Sequence, residues 1–137
     1  MTFTLFEHTA DVGIHVEAKD LNVLFADAAS GLFAIIVEIQ SEKTSMRTIS
    51  IGLEGHRLDY LLLDWLSELL MQFELQKLVL SGFEIKLDGL VLAGKANAEP
   101  LDHSRHRLLH EVKAITYHGL NVTQTKNGWS ADVIVDI

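Results

Sequence analysis

Two separated segments of the chain place ionisable side chains among residues that favour buried strands. They are Glu-His-Thr-Ala-Asp-Val-Gly-Ile at 7–14 and Glu-Val-Lys-Ala-Ile-Thr-Tyr-His at 111–118. A strand that only packs a core alternates apolar residues with unremarkable polar ones, whereas each of these segments sets a charge beside β-branched neighbours. Asp11 and Lys113 are therefore the first candidate functional residues.

The carboxylates at the two ends of the chain could together bind a metal ion. Asp11, Asp136 and the terminal carboxylate of Ile137 are hard oxygen donors without a thiolate or a close histidine pair beside them. Such donors suit Mg²⁺, Mn²⁺ or Ca²⁺. Nothing in one sequence places the first strand beside the last, so two solvated strand-end aspartates remain the alternative.

Lys113 lies in apolar, strand-like sequence, where burying an ammonium group is costly without an anionic partner. We expect that partner to be a carboxylate or a phosphate. Glu111 is the nearest local counter-ion, because residues two apart in a regular strand share a face. The alternative is a lysine on an edge strand that keeps its charged end in water.

The chain contains seven histidines, of which His103, His106 and His110 would share one face of a helix. The arginines between them would repel a cation, so we expect a polar, partly exposed turn here rather than a zinc site. His8 and His118 lie in the two informative segments, and either core imidazoles or catalytic bases would fit their positions.

Composition predicts one folded domain over residues 1–137. Apolar residues make up 48% and charged residues 22%, and there is no cysteine. The lack of thiols excludes a disulfide scaffold, a cysteine-ligated zinc site and a thiolate nucleophile. With no signal-peptide pattern and no apolar run of the roughly eighteen residues that a membrane helix requires, we expect a cytoplasmic protein without membrane contact.

A formal net charge of −8 argues against a broad nucleic-acid-binding surface, which would need Lys and Arg side chains to neutralise phosphates. We expect no direct, stable binding of nucleic acid. An acidic surface suits a cation site or a basic protein partner, although it also serves solubility alone. Phosphate-binding loops, dinucleotide fingerprints and the common hydrolase motifs are missing from the sequence.

Hydrophobic periodicity predicts two helices, Leu21–Val37 after an Asp20 cap and Leu58–Leu75. Alternation and turn residues predict strands at 5–18 with a turn at 9–11, and at 46–53, 78–85, 90–98, 112–123 and 129–137. Glu99-Pro100 should break a strand ladder, and 103–110 should form one or two helical turns. The expected fold is α+β, a mainly antiparallel sheet with both long helices on one face.

The chain resembles the archease family, small accessory proteins of the RtcB-type RNA ligase that joins tRNA exons. The resemblance spans nearly the full length. It is carried by segments 7–14 and 111–118, by Leu-Phe-Ala-Asp-Ala-Ala-Ser-Gly-Leu-Phe at 24–33, by Leu-Leu-Leu-Asp-Trp-Leu-Ser-Glu-Leu-Leu at 61–70, and by the terminal Val-Ile-Val-Asp-Ile. The first two segments are the specific ones, because neither composition nor amphipathicity would generate them.

The resemblance implies a fold of strand-helix-strand-strand modules, one inserted in another, and a divalent-metal site formed by Asp11, Asp136 and Ile137. It implies that Lys113, with both aspartates, activates the ligase. The protein itself would have no catalytic residues; it would help the ligase form its histidine-GMP intermediate from GTP and turn over repeatedly in tRNA splicing and RNA repair. The chain departs from the family at Ala98, where glycine usually precedes Glu-Pro.

Two other functions are compatible with the same residues. The carboxylates could serve a stand-alone, metal-dependent phosphoester hydrolase. The chain could also be a binding module in which the ion is purely structural.

Overall fold

A computed structural model describes residues 2–8, 11–41 and 46–137, and for Glu7 and His8 it describes the backbone alone. Within these ranges the chain has an α+β fold, as predicted. Its elements are β1 Phe3–His8, β2 Asp11–Ala18, α1 Leu21–Ile36, β3 Val37–Ile39, β4 Arg47–Glu54, α2 Leu58–Gln76, β5 Leu78–Asp88, β6 Val91–Pro100, β7 His106–Leu108, β8 Ala114–Thr125 and β9 Gly128–Asp136.

In the described part of the chain, the strands form three sheets in which all pairings are antiparallel. One sheet has the order β1-β2-β9-β8, a second has the order β4-β6-β5, and β3 pairs with β7. The prediction of mainly antiparallel pairing is therefore confirmed. The first sheet places strands from both ends of the chain side by side.

Local signals set the ends of both helices. The Asp20 side chain caps α1 by accepting a 2.9 Å hydrogen bond from the Val23 N–H, as predicted. Helix α2 ends at Gln76, and Lys77 caps it by adopting a left-handed conformation with φ of 53° and donating its N–H to the Phe73 carbonyl at 3.0 Å. Neither helix is long and apolar enough to cross a membrane, as judged over the described residues.

The helices pack between the two larger sheets. Helix α1 contacts β2 and β5, and α2 contacts β8, β5 and β4. Trp65 of α2 is fully buried and donates its indole N–H to the Phe25 carbonyl at 3.1 Å. A Cβ atom at Gly94 of β6 would lie only 2.7 Å from the Trp65 ring, so the glycine makes room for it. One face of each of the two larger sheets therefore packs against the helices.

The predicted strand at 5–18 is a hairpin of two strands. Strands β1 and β2 run antiparallel, and His8 is paired with Asp11. The predicted turn residues Thr9 and Ala10 lie outside the described residues.

The prediction that Glu99-Pro100 breaks a ladder is wrong. Strand β6 stays paired with β5 as far as Leu78 opposite Pro100. The next residue, Leu101, donates its N–H toward β5, to the Lys77 carbonyl at 2.8 Å, so the proline nitrogen faces the other side. The β4 ladder on that side ends at Ala98, and the missing N–H therefore costs no strand hydrogen bond.

The prediction of helical turns over 103–110 is wrong beyond residue 105. The N–H groups of Arg105 and His106 both bond to the Asp102 carbonyl, at 2.9 and 2.7 Å, and close a single turn. From His106 the backbone pairs with β3, because this strand offers a hydrogen-bonding partner that local sequence does not reveal. His103, His106 and His110 consequently share no helical face.

Candidate functional site

The four predicted site residues lie at one end of the four-stranded sheet. Asp11 in β2 is directly opposite Asp136 in β9, and Asp136 is opposite Ala114 on its other side. Lys113 donates its backbone N–H to the Asp136 carbonyl at 2.7 Å, and Ile137 follows directly in the chain. The sequence left open whether the first and last strands meet, and the fold brings them together.

The two aspartates project from the sheet face that the helices do not cover. Directly opposed residues in an antiparallel pair share a face, and the next pair along the strands, Val12 and Val135, faces the core. Val135 is fully buried, whereas Asp11 and Asp136 are each partly exposed. Both carboxylates are thus accessible to water and held in place by the ladder.

The donor chemistry at this sheet end fits a hard divalent cation. Like charges directly opposite each other on paired strands are unfavourable, and a cation would offset that repulsion. Among the side chains that the structure describes, which exclude those of Glu7 and His8, no three His, Asp or Glu residues are close enough to hold a metal ion by themselves. Asp11 and Asp136 supply two carboxylates here, and the terminal carboxylate of Ile137 directly follows Asp136 in the chain.

Of the two interpretations of Lys113, the buried lysine with an anionic partner is wrong, and the lysine that keeps its charged end in water fits the structure. Strand β8 begins one residue later, at Ala114, and the side chains of Lys113 and Glu111 are both exposed. Val112 between them is buried and anchors the segment to the core. The ammonium group is therefore in solvent and needs no buried counter-ion, and it is the Lys113 backbone that lies beside Asp136.

His118 is exposed, which removes the core-imidazole interpretation. It lies in an irregular part of β8, where the pairing with β9 shifts between Thr116 and Asn121. The Thr116 hydroxyl donates to the Ile134 carbonyl at 2.9 Å and accepts from the His118 N–H at 3.3 Å. The side chain of His8 lies outside the part of the chain that the structure describes, so its two interpretations stay predictions.

A buried polar cluster was not predicted from the sequence. Glu99 and His106 are 3% and 1% exposed. The Asp102 N–H donates to His106 Nδ1 at 2.9 Å, so the imidazole proton is on Nε2, which donates to Glu99 Oε1. Arg105 donates to the same oxygen at 2.8 Å. These bonds satisfy both buried groups and tie the end of β6 to β7, so we assign the cluster to the fold rather than to a site.

A second polar network, also missed, lies on the uncovered face of the four-stranded sheet. His15 Nδ1 is 2.7 Å from Asp132 Oδ1, and Asn121 donates to Asp132 Oδ2 at 3.1 Å. The hydrogen bond with Asp132 raises the pKa of His15 above its usual value, against a smaller lowering by burial, and Glu17 adds to the rise. The alternation of side chains along β2 places His15 and Glu17 on one face and could have been predicted. The pairing of His15 with Asp132 could not, because it depends on the register between β2 and β9.

Comparison with known sequences finds a family match over nearly the whole chain. The model of the Archease protein family (MTH1598/TM1083) matches residues 3–137. Protein archease of Pyrococcus abyssi is 38% identical over 138 residues, which cover 96% of each chain.

Solved structures show the same fold. The solution structure of a Methanobacterium thermoautotrophicum protein is similar with a TM-score of 0.77 and 29% identity, covering 98% of both chains. A crystal structure from Thermotoga maritima, described as an archease and possible chaperone, has a TM-score of 0.67 over 96% of this chain and 94% of that one. At 17% identity, the second comparison bears on the fold alone.

Proposed function

This chain belongs to the archease family, and on that premise we propose that it activates an RtcB-type RNA ligase. It promotes the GTP-dependent guanylylation of the ligase and its multiple turnover in tRNA splicing and RNA repair. The ligase performs the chemistry on RNA, and this protein is an accessory factor without catalytic residues of its own. We place this activity in the cytoplasm.

The observation that carries the proposal is the direct pairing of Asp11 with Asp136. We propose that these two carboxylates and the terminal carboxylate of Ile137 hold a Ca²⁺, Mn²⁺ or Mg²⁺ ion. When bound, such an ion neutralises the carboxylates and supplies positive charge of the kind that phosphoryl transfer requires. The ladder between β2 and β9 keeps the two aspartates in place before any partner arrives.

Lys113 adds a positive charge beside the carboxylates. Its backbone bond to Asp136 fixes its position, while its exposed side chain can reach outward. In this proposal, the ammonium group contacts the nucleotide phosphates, or a carboxylate, in the ligase active site as charge develops on the transferred phosphoryl group.

The overall charge favours a protein partner over direct contact with RNA. With a net charge of −8, the surface repels phosphates at long range and attracts a basic protein surface. The ligase therefore provides the RNA contacts in this proposal.

Guanylylation of the ligase with labelled GTP tests the proposal. We expect Asp11→Asn, Asp136→Asn and Lys113→Ala each to reduce the stimulation strongly. Asp88→Asn and Lys86→Ala, both exposed on β5, are charge-matched controls that should stimulate like the wild type. Full stimulation by all three site variants would refute the proposal.

Two assays separate the rival functions. Incubating the purified protein with phosphoesters and Mn²⁺ gives product only if it is a hydrolase, and loss of that product in Asp11→Asn would place the activity at this site. If chelation lowers the melting temperature but spares ligase stimulation, the ion is structural.

A further inference from the structure

The polar network on the uncovered sheet face holds one imidazole in a fixed orientation. Asp132 Oδ1 accepts the Nδ1–H of His15 at 2.7 Å, and the other oxygen of Asp132 accepts from Asn121 at 3.1 Å. The three residues are on adjacent strands β2, β9 and β8 in matched register. The ladder therefore positions the carboxylate, and the carboxylate positions the ring.

This orientation leaves His15 Nε2 as the ring atom available to an external group. Glu17 lies two residues further along β2 on the same face, and its Oε1 is 3.6 Å from Nε2. The His15 side chain is about one-third exposed, and Glu17 is largely exposed. A nitrogen donor and an oxygen donor thus lie 3.6 Å apart on the uncovered sheet face, in side chains that water can reach.

We propose that His15 and Glu17 form a binding site for a borderline transition-metal ion such as Zn²⁺ or Ni²⁺, with Asp132 orienting the imidazole. An ion about 2.1 Å from both Nε2 and Oε1 would bridge their 3.6 Å separation at an angle of roughly 120°, close to tetrahedral. A carboxylate bonded to the far nitrogen of a metal-binding histidine is the usual supporting arrangement in such sites.

The site differs in chemistry and place from the proposed oxygen site at Asp11 and Asp136. An imidazole prefers Zn²⁺, Ni²⁺ or Cu²⁺, whereas carboxylates alone suit Ca²⁺ or Mg²⁺. His15 and Asp11 are four residues apart on β2, which corresponds to about 13 Å at roughly 3.3 Å per residue.

Water completes the coordination in this proposal. No third His, Asp or Glu side chain joins the pair to make a metal-binding group among the residues described. Two protein ligands leave open positions, so we expect weaker and more exchangeable binding than at a closed structural zinc site.

Metal titrations of the full chain without a tag test the site. Excess Ca²⁺ is present throughout to occupy the oxygen site. Zn²⁺ affinity is measured by calorimetry, and paramagnetic Ni²⁺ is followed by NMR through broadening of the imidazole C–H signals. We expect the His15 signals to broaden at lower Ni²⁺ concentrations than those of the exposed residues His56 and His103.

Matched variants identify the ligands. We expect His15→Gln to abolish the calorimetric Zn²⁺ signal. Asp132→Asn, in which the new side chain has nearly the same shape as the old one, should weaken Zn²⁺ binding about 10- to 100-fold. His103→Gln in an exposed turn and Asp136→Asn at the other site should retain wild-type Zn²⁺ affinity. Circular dichroism confirms that each variant is folded.

The proposal is overturned if His15→Gln or Asp132→Asn binds Zn²⁺ like the wild type. Equal broadening of all exposed histidines by Ni²⁺ would likewise show adventitious surface binding. Neither result bears on ligase stimulation, so failure here is distinguishable from failure of the proposed function.

Discussion

Asp11 and Asp136 are direct cross-strand partners, although one lies near the start of the chain and the other in its last strand. Their side chains leave the same face of the sheet, where neither helix covers them. Because paired like charges weaken a strand pair, the two carboxylates favour whichever cation can bridge them. If the proposed ion binds there, we expect the stability of the protein to depend on divalent cations, which thermal melts can measure.

We expect Ca²⁺ to raise the melting temperature of the wild type by several degrees. A ligand at one hundred times its Kd stabilises the folded state by about 2.7 kcal/mol. Asp136→Asn should not show this rise. In chelator, the variant should be as stable as the wild type or a few tenths of a kcal/mol more stable, because the repulsion between the two carboxylates is removed. Thermal melts with Ca²⁺ and with EDTA decide the matter. An undiminished Ca²⁺ effect in the variant would contradict the proposed ligand set.

The pH dependence of His15 follows from its bond to Asp132, which raises the pKa of the imidazole above 6.5. A group with a raised folded-state pKa stabilises the protein fully below its unfolded pKa and loses that effect as pH rises through the folded value. We expect this stabilisation to fade above about pH 6.5. Asp132→Asn should lower the His15 pKa and remove that part of the pH dependence.

An NMR titration of the imidazole signals, run in chelator, measures this pKa directly. His103, exposed in a turn, is the internal reference. If His15 titrates at the same pH in the wild type and in Asp132→Asn, the hydrogen bond has no influence on its protonation.

Two Glu–Arg pairs in adjacent elements should differ widely in their contributions to stability. Glu99 is buried and accepts from Arg105 at 2.8 Å, whereas Glu38 is exposed and 3.7 Å from Arg107. We expect Glu99→Gln to lower the free energy of unfolding by about 2 to 3 kcal/mol, since it weakens hydrogen bonds to a charged, buried group. Glu38→Gln should cost less than about 1 kcal/mol. Urea denaturation of both variants gives the comparison, and equal losses would be inconsistent with the buried cluster.

Two glycines of the three-stranded sheet form a matched pair for testing the core. A Cβ atom at Gly94 would lie 2.7 Å from the buried Trp65 ring, whereas at Gly52 it would meet no atom within 4 Å. We expect Gly94→Ala to destabilise the protein by about 1 to 3 kcal/mol through overpacking and Gly52→Ala to change stability by less than about 0.5 kcal/mol. Chemical denaturation followed by tryptophan fluorescence measures the stability of both variants. A neutral Gly94→Ala would mean that the ring has room to move.

Features set by local sequence could be predicted. The cap at Asp20, the starts of both helices and the turns near Gly89 and at 126–128 depend on residues close together in the chain, and the structure places them as expected. The Asp88-Gly89 turn is displaced by a single residue, because Asp88 still pairs with Val91 and the loop is Gly89-Leu90.

Features set by distant contacts could not be predicted from periodicity. The pairing of β3 with β7 depends on a partner far away in the chain, and this pairing turned an expected helical segment into a strand. Burial of Glu99 and His106 has the same origin, because each satisfies the other. The adjacency of Asp11 and Asp136 was expected through family resemblance alone, since neither residue carries a local signal for the other.

The strand order β1-β2-β9-β8 also has a consequence for biosynthesis. While a ribosome is still producing β9, both β2 and β8 have an edge without its neighbour, and such edges favour misassembly with other chains. Strand β9 follows β2 and β8 in the chain, so its synthesis closes this sheet from the middle. A nascent polypeptide cut short before Gly128 would leave β8 without any partner strand and β2 with one open edge.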